Sequence, residues 1–221
     1  MNKKITIAID GPSGSGKSTV AKRLSKLLNI LYLDTGAMYR ATALKAISLG
    51  IDTLNEEKVS EFIDNIDLTI KYSEGVQHTF LDGKDVSDAI REPQVSMAAS
   101  NISSLKCVRL KMVELQRKIA GQTSCVLDGR DIGSFVLPGA DFKFYLTAAV
   151  SVRAERRYKE LKEKGFNVDL QALQKEIEQR DYNDSHRDFA PLTQAKDAIY
   201  IDTSDLSIDE VTDKILSVIR G

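Results

Sequence analysis

Residues 11–18 read Gly11-Pro12-Ser13-Gly14-Ser15-Gly16-Lys17-Ser18. Glycines, a lysine and a hydroxyl at this spacing match the G-x-x-x-x-G-K-[ST] loop that holds nucleotide phosphates. Glycine lets the backbone curl so that successive N–H groups face one anion. A helix following at Thr19 adds the positive end of its dipole. Lys17 then reaches the β- and γ-phosphates, and the Ser18 hydroxyl is a ligand for Mg²⁺. The bland reading is a Gly/Ser-rich turn ahead of a helix, and eight fixed positions argue against it.

Three other polar groups could complete a phosphate chemistry. In Asp34-Thr35-Gly36-Ala37-Met38-Tyr39-Arg40 a hydroxyl opens a helix and a guanidinium follows about one turn later. That suits a second phosphate, or equally a threonine cap followed by a surface arginine. Asp128 ends the apolar run Cys125-Val126-Leu127, where a carboxylate can hold Mg²⁺ directly or through water. A turn aspartate is the alternative; Asp10, ending another strand, and the nearby Asp131 favour the metal. Arg153, Arg156 and Arg157 share one helix face, and Arg180, Asp184 and Arg187 follow in a charged connection. They form either a solvated charged surface or an arginine-bearing lid over a transferring phosphoryl group, and the phosphate loop favours the lid.

The elements that position these groups are legible from periodicity. Ile5–Ile9, Ile30–Leu33, Ser124–Asp128, Phe142–Leu146 and Ala198–Asp202 are short apolar runs that read as buried strands. Helical spacing covers Thr19–Leu28, Ala37–Leu49, Glu56–Ile63, Pro93–Ala120, Ser151–Lys164 and Asp169–Asp181, with Gly165 and Asn167 breaking the last two apart. Ser207-Ile208-Asp209-Glu210 is a capping box that opens a final helix. Strands alternating with helices predict a parallel, doubly wound α/β sheet, with ligands beyond the carboxyl ends of its strands. The stretch 67–87 breaks that pattern. Its period-2 runs and its turns at Glu74-Gly75 and Asp82-Gly83 predict a small antiparallel meander inserted in the α/β frame.

Composition narrows the classes. The chain has 221 residues, 42% hydrophobic and 29% charged, which is ordinary for one globular unit. With 31 basic and 32 acidic residues the net charge is −1, so neither nucleic acid nor a membrane surface is expected as partner. Cys107 and Cys125 have no metal-ligand or redox spacing, and two histidines add no zinc site. The N-terminal apolar run is too short for an export signal, and no stretch approaches a membrane span. A cytoplasmic enzyme with reduced thiols is the expectation.

Taken together, the motifs at 9–18 (IDGPSGSGKS), 34–40 (DTGAMYR), 98–100 (AAS), 128–131 (DGRD) and 180–187 (R-x-x-x-D-x-x-R), followed by Ala190-Pro191-Leu192, resemble the bacterial cytidylate kinases of the nucleoside monophosphate kinase group. The resemblance covers nearly the whole chain in order. It implies a three-layer α/β/α P-loop fold with a five-stranded parallel sheet and a core of 1–36, 102–150 and 190–221. It further implies a monophosphate-binding domain at 37–101 carrying the β insertion, and a helical lid at 151–189. The implied reaction is ATP-dependent phosphorylation of CMP and dCMP by a monomer using Mg²⁺. Gly11, Pro12, Ser13, Gly14, Ser15, Gly16, Lys17, Ser18 and Thr19 correspond to the ATP loop, and Ser18 and Asp128 to metal ligands. Ser100, Arg109 and Asp131 correspond to readers of the cytosine edge. Thr35, Tyr39, Arg40, Arg130 and Arg187 lie at positions around the acceptor nucleotide and its phosphate, and Arg180 and Asp184 at its ribose. Lys17, Arg130, Arg153, Arg157 and Arg187 are the implied catalytic cations, with Arg156 beside them on the lid.

Two rivals stay open at this level. A kinase for UMP or a non-nucleotide alcohol would share the donor loop. A nucleotide-binding switch would share it too, but no N-K-x-D guanine reader is present, and a second phosphate site has no role in a switch.

Overall fold

The computed structural model describes residues 4–221. In chain order its elements are β1 (Thr6–Asp10), α1 (Lys17–Leu28), β2 (Leu31–Asp34), α2 (Thr35–Ser48), α3 (Glu56–Ile63), β3 (Leu68–Ser73), β4 (Val76–Leu81), β5 (Lys84–Asp85), α4 (Pro93–Ile102), α5 (Lys106–Ala120), β6 (Cys125–Gly129), β7 (Phe142–Thr147), α6 (Val150–Glu163), α7 (Leu170–His186), β8 (Ile199–Asp202) and α8 (Ile208–Arg220). A short 3₁₀ turn, Ala89–Arg91, precedes α4, and a π turn, Ile132–Val136, follows β6.

Five strands form one parallel sheet in the order β2-β6-β1-β7-β8. Alternation along the strands divides the core between the two faces. Ile7, Ile9, Tyr32, Val126, Phe144 and Leu146 pack on α1 and α8 through Val20, Leu24, Val211 and Ile215. Ala8, Leu33 and Leu127 face the other way, onto Met38, Ala41, Val108 and Met112 of α2 and α5. This is the predicted three-layer α/β/α arrangement. Because β1 is central and the chain steps to opposite sides of it, the carboxyl ends of β1, β2 and β6 open a crevice at the switch in strand order.

The meander forms as expected. β3, β4 and β5 pair antiparallel, and both turns have two residues at positive φ: Glu74 (53°) with Gly75 (75°), and Asp82 (49°) with Gly83 (74°). That is the type I′ geometry whose twist suits a two-residue hairpin. The insertion is fastened to the main sheet. Asp34 N donates to Gln77 Oε1 at 2.8 Å, and Tyr72 Oη donates to the Tyr32 carbonyl at 2.9 Å.

Two expectations need correction. The segment 180–187 is not a connection, because α7 continues through His186. Asp169 caps its start through Ala172 N, no Gly or Pro interrupts it, and i,i+4 bonds Gln174–Glu178 and Gln179–Asn183 brace its outer face. The fifth strand is not buried. β8 lies at the sheet edge, so Ile199 and Tyr200 are exposed and only Ile201 reaches the core. Among the described residues no helix is long and apolar enough to cross a membrane.

Candidate active site

The loop after β1 is held by close approach as much as by charge. Gly11 has φ 142°, and a Cβ there would lie 1.9 Å from the Leu146 carbonyl, so only glycine lets the loop leave the sheet against β7. Gly16, at φ 88°, caps α1. Lys17 is buried with Nζ folded inward, 2.6 Å from the Pro12 carbonyl and 3.4 Å from Ser15 Oγ. Burial, reinforced by the Arg130 charge, lowers its pKa to about 7.

Ser18 Oγ donates to Asp128 Oδ2 at 2.6 Å, and Tyr32 Oη donates to Asp128 Oδ1 at 2.9 Å. The motif hydroxyl and the carboxylate ending β6 therefore meet, although 110 residues separate them. Burial and the Asp34 charge push the Asp128 carboxyl up, while the Ser18 hydrogen bond works against them. A hydroxyl and a carboxylate side by side suit Mg²⁺, which takes few protein oxygens and completes its shell with phosphate and water. Among the described residues no group of three or more His, Cys, Asp or Glu could hold a metal.

Asp10 does not support the metal reading as expected. Its carboxylate accepts the Ile132 and Gly133 amides, both at 2.7 Å, and so anchors the π turn behind Arg130 and Asp131. Burial raises its pKa to about 7 against those two amides. The cap of α2 also differs from the threonine reading. Asp34 is the cap, accepting from Ala37 N at 2.9 Å, while the buried Thr35 hydroxyl donates to the Asp128 carbonyl at 2.7 Å. The single hydroxyl proton of Thr35 is therefore engaged within the fold.

Asp34 also gathers two arginines. Arg40 Nη2 lies 3.0 Å and Arg91 Nη2 2.8 Å from Asp34 Oδ2. Burial alone would raise the carboxyl, but the two guanidinium charges win and hold it at about 2. On the opposite wall Arg109 and Asp131 form a fully buried ion pair, and Arg187 Nη2 stands 3.5 Å from the other Asp131 oxygen. Arg130 Nε donates to Asp184 Oδ2 at 2.7 Å, and Arg187 Nε to the Ala190 carbonyl at 2.7 Å. The Arg109 guanidinium also sits over the Tyr39 ring, 5.7 Å from its centre.

The arginines of α6 divide by role. Arg153 is buried and donates to the Ala148 carbonyl, the Ser13 carbonyl and Asp181. Arg156 reaches Thr203 Oγ1, the Thr203 carbonyl and the Gly14 carbonyl. Both thus tie α6 to the phosphate loop. Arg157 pairs with Glu160, three residues along its own helix, and faces the cleft with Arg180.

Two joined cavities of about 190 and 670 Å³ share Ser13, Gly14, Lys17, Ser18, Arg40 and Arg180 as common walls. The smaller contains Thr35, Tyr39, Ser100, Arg109, Asp128, Arg130, Asp131, Asp184 and Arg187. The larger runs past Thr19 to Arg156, Arg157 and Ile208. The polar groups singled out in the sequence beyond the loop itself reach one of these walls, apart from Arg153, which lies behind the loop, and Asp10, which braces the π turn. The small cavity is also short of partners. Arg40 Nε, Arg109 Nε, Arg180 Nε and both amide atoms of Gln116 are buried there without a hydrogen-bond partner among the described residues. Motif reading missed Arg91, which follows the insertion in no recognisable pattern. It also missed Gln116, although its spacing of seven residues from Arg109 puts both on one face of α5.

Comparison with known proteins agrees with this geometry. A family model described as cytidylate kinase matches residues 7–221. The chain is 51% identical to a cytidylate kinase of Caldicellulosiruptor saccharolyticus, covering 98% of this chain and 96% of that one. It is 50% identical to a cytidylate kinase of Pediococcus pentosaceus, covering 100% and 98%. Among solved structures, the shikimate kinase of Bacteroides thetaiotaomicron superposes with a TM-score of 0.51 at 12% identity, covering 98% of this chain and 99% of that one, a likeness of fold alone. A match over almost the full length, with half of all positions identical, places the chain in the cytidylate kinase family.

Proposed function

We propose that the larger cavity takes ATP, the smaller takes CMP or dCMP, and the γ-phosphoryl group passes between them at their shared wall of Lys17, Arg40 and Arg180. The carrying observation is the set of buried, unpartnered guanidinium and amide atoms in the smaller cavity. Buried polar groups are almost always hydrogen-bonded, so such a cluster marks where a ligand's oxygens and nitrogens belong. Arg40, Arg130 and Arg187 suit the acceptor phosphate, Arg180 and Asp184 the ribose, and Ser100, Arg109 and Asp131 the base. Cytosine offers one amino donor and two acceptors on its edge, which a carboxylate, a guanidinium and a hydroxyl complement.

Transfer is direct and in line. A monophosphate oxygen is already nucleophilic, so the chain's task is alignment and charge neutralisation. Lys17 swings from the Pro12 carbonyl to the β- and γ-phosphates, and the loop amides hold them. Arg157, Arg180, Arg130 and Arg187 surround the transferring group. Arg153 and Arg156 keep α6 seated on the loop so that those cations stay in place. Ser18 and Asp128 would hold Mg²⁺, which neutralises phosphate charge when bound. We further assign 37–101 as the monophosphate-binding part and 151–189 as the lid, closing to exclude water.

A coupled ADP-release assay with ATP, Mg²⁺ and CMP, dCMP, UMP, AMP or GMP tests this. CMP and dCMP should give the highest kcat/KM. Turnover confined to purine monophosphates would refute the base assignment, and no turnover with any of them would favour a nucleotide-binding regulator.

A further inference from the structure

We propose that Gln116 is a specificity-determining residue that reads the 4-amino group of the pyrimidine, an inference that rests on the smaller cavity being the CMP site. The buried stripe of α5 is Arg109, Met112, Val113, Gln116 and Ala120. Packing there would favour an apolar side chain at 116, since Gln116 is 1% exposed and neither amide atom has a hydrogen-bond partner. It lies against the Tyr39 hydroxyl without hydrogen-bond geometry and opens onto the cavity that Arg109, Asp131 and Ser100 line. A buried, unpartnered amide weakens the free protein, so its presence at this position points to a ligand that satisfies it.

The neighbouring groups define what remains for it to bind. The two Asp131 oxygens already face Arg109 and Arg187, and the N–H bonds of a planar amino group diverge by about 120°, so this carboxylate takes only one of them. Cytosine's amino group has two. Asp131 accepts one and Gln116 Oε1 accepts the other, leaving the Gln116 amide nitrogen toward Tyr39 Oη. A primary aromatic amine buried at this end then has both protons satisfied.

The test compares wild type with Gln116→Leu and Gln116→Met, two apolar side chains of similar reach. Steady-state KM is measured for CMP and ATP, together with melting temperature with and without CMP. Both variants should raise KM for CMP about tenfold, as expected for one buried hydrogen bond. KM for ATP should hold within twofold. The free variants should melt at or above the wild-type temperature while the rise produced by CMP shrinks. An unchanged KM for CMP in both variants overturns the proposal. So does a parallel rise in both KM values with a lower melting temperature, which would make Gln116 a packing residue. Wild type that turns over other acceptors but not CMP would instead refute the CMP reading on which the proposal rests.

Discussion

Lys17 Nζ lies 2.6 Å from the Pro12 carbonyl, inside the loop it serves. A buried amine with a lowered pKa is a poor structural cation, so removing it should leave the fold intact. Lys17→Ala should lower kcat by at least about 10³ with CMP, while the melting temperature stays within a few degrees; near-normal turnover would contradict the phosphate assignment. Asp131 differs, because it neutralises the buried Arg109 and stands beside Arg187. Asp131→Asn keeps the shape but leaves both guanidinium groups facing a neutral amide, at a cost of about 3 kcal/mol in urea unfolding. The same change should lower kcat/KM for CMP by about 10² while raising UMP relative to CMP, since an amide can donate to a carbonyl at position 4. Equal loss of ATP affinity would show that Asp131 does not face the base. Lys17 and Asp131 were both legible in motifs. The engagement of the Thr35 hydroxyl with Asp128 was not, because its partner is 93 residues away in sequence.

At the scale of elements, α2 is fixed by one residue with three duties. Asp34 caps the helix, receives Arg40 and Arg91, and through its backbone meets Gln77. Its folded pKa of about 2 lies below the ordinary carboxylate value of 3.8. The unfolded chain therefore binds the extra proton first as pH falls. The stabilisation is complete above pH 4 and is lost on acidification toward pH 2. Its size is about 2 kcal/mol, from 1.36 kcal/mol for each pKa unit. Asp34→Asn should be less stable than wild type at pH 6, and urea titrations should show the gap narrowing below pH 3. A gap that is constant with pH would mean the arginines do not depend on the charge of Asp34. The end of α7 carries a related lesson. The polar composition and middling helix propensity of 180–187 suggested a connection, yet α7 runs through His186 and Asp184 is buried by Arg130 and Arg187. Charge that looked solvated in sequence is turned inward by Arg130, the residue just after β6.

Across the whole molecule, the β insertion and the phosphate loop are joined through few atoms. Tyr72 holds the Tyr32 backbone, and Tyr32 in turn holds Asp128, which Ser18 shares. Gln77 holds the backbone of Asp34 beside it. Gln77→Ala should raise KM for CMP severalfold and leave KM for ATP unchanged, because it frees the insertion side of the cleft while the loop stays anchored. The lost hydrogen bond should lower the melting temperature by about 2–4 °C, and an equal effect on both substrates would contradict this division of the cleft. The sequence by itself determined the phosphate loop, the alternating α/β order, the meander with its two turns and the arginine-bearing helices. Those features rest on local periodicity and short-range backbone geometry. Only the tertiary structure decided that Asp10 braces a turn rather than a metal, that Arg153 and Arg156 tie down the loop while Arg157 and Arg180 face the cleft, and that Gln116 is buried without a partner. Each of these depends on which distant strand end supplies the neighbour, and a parallel sheet brings together residues that no local pattern relates.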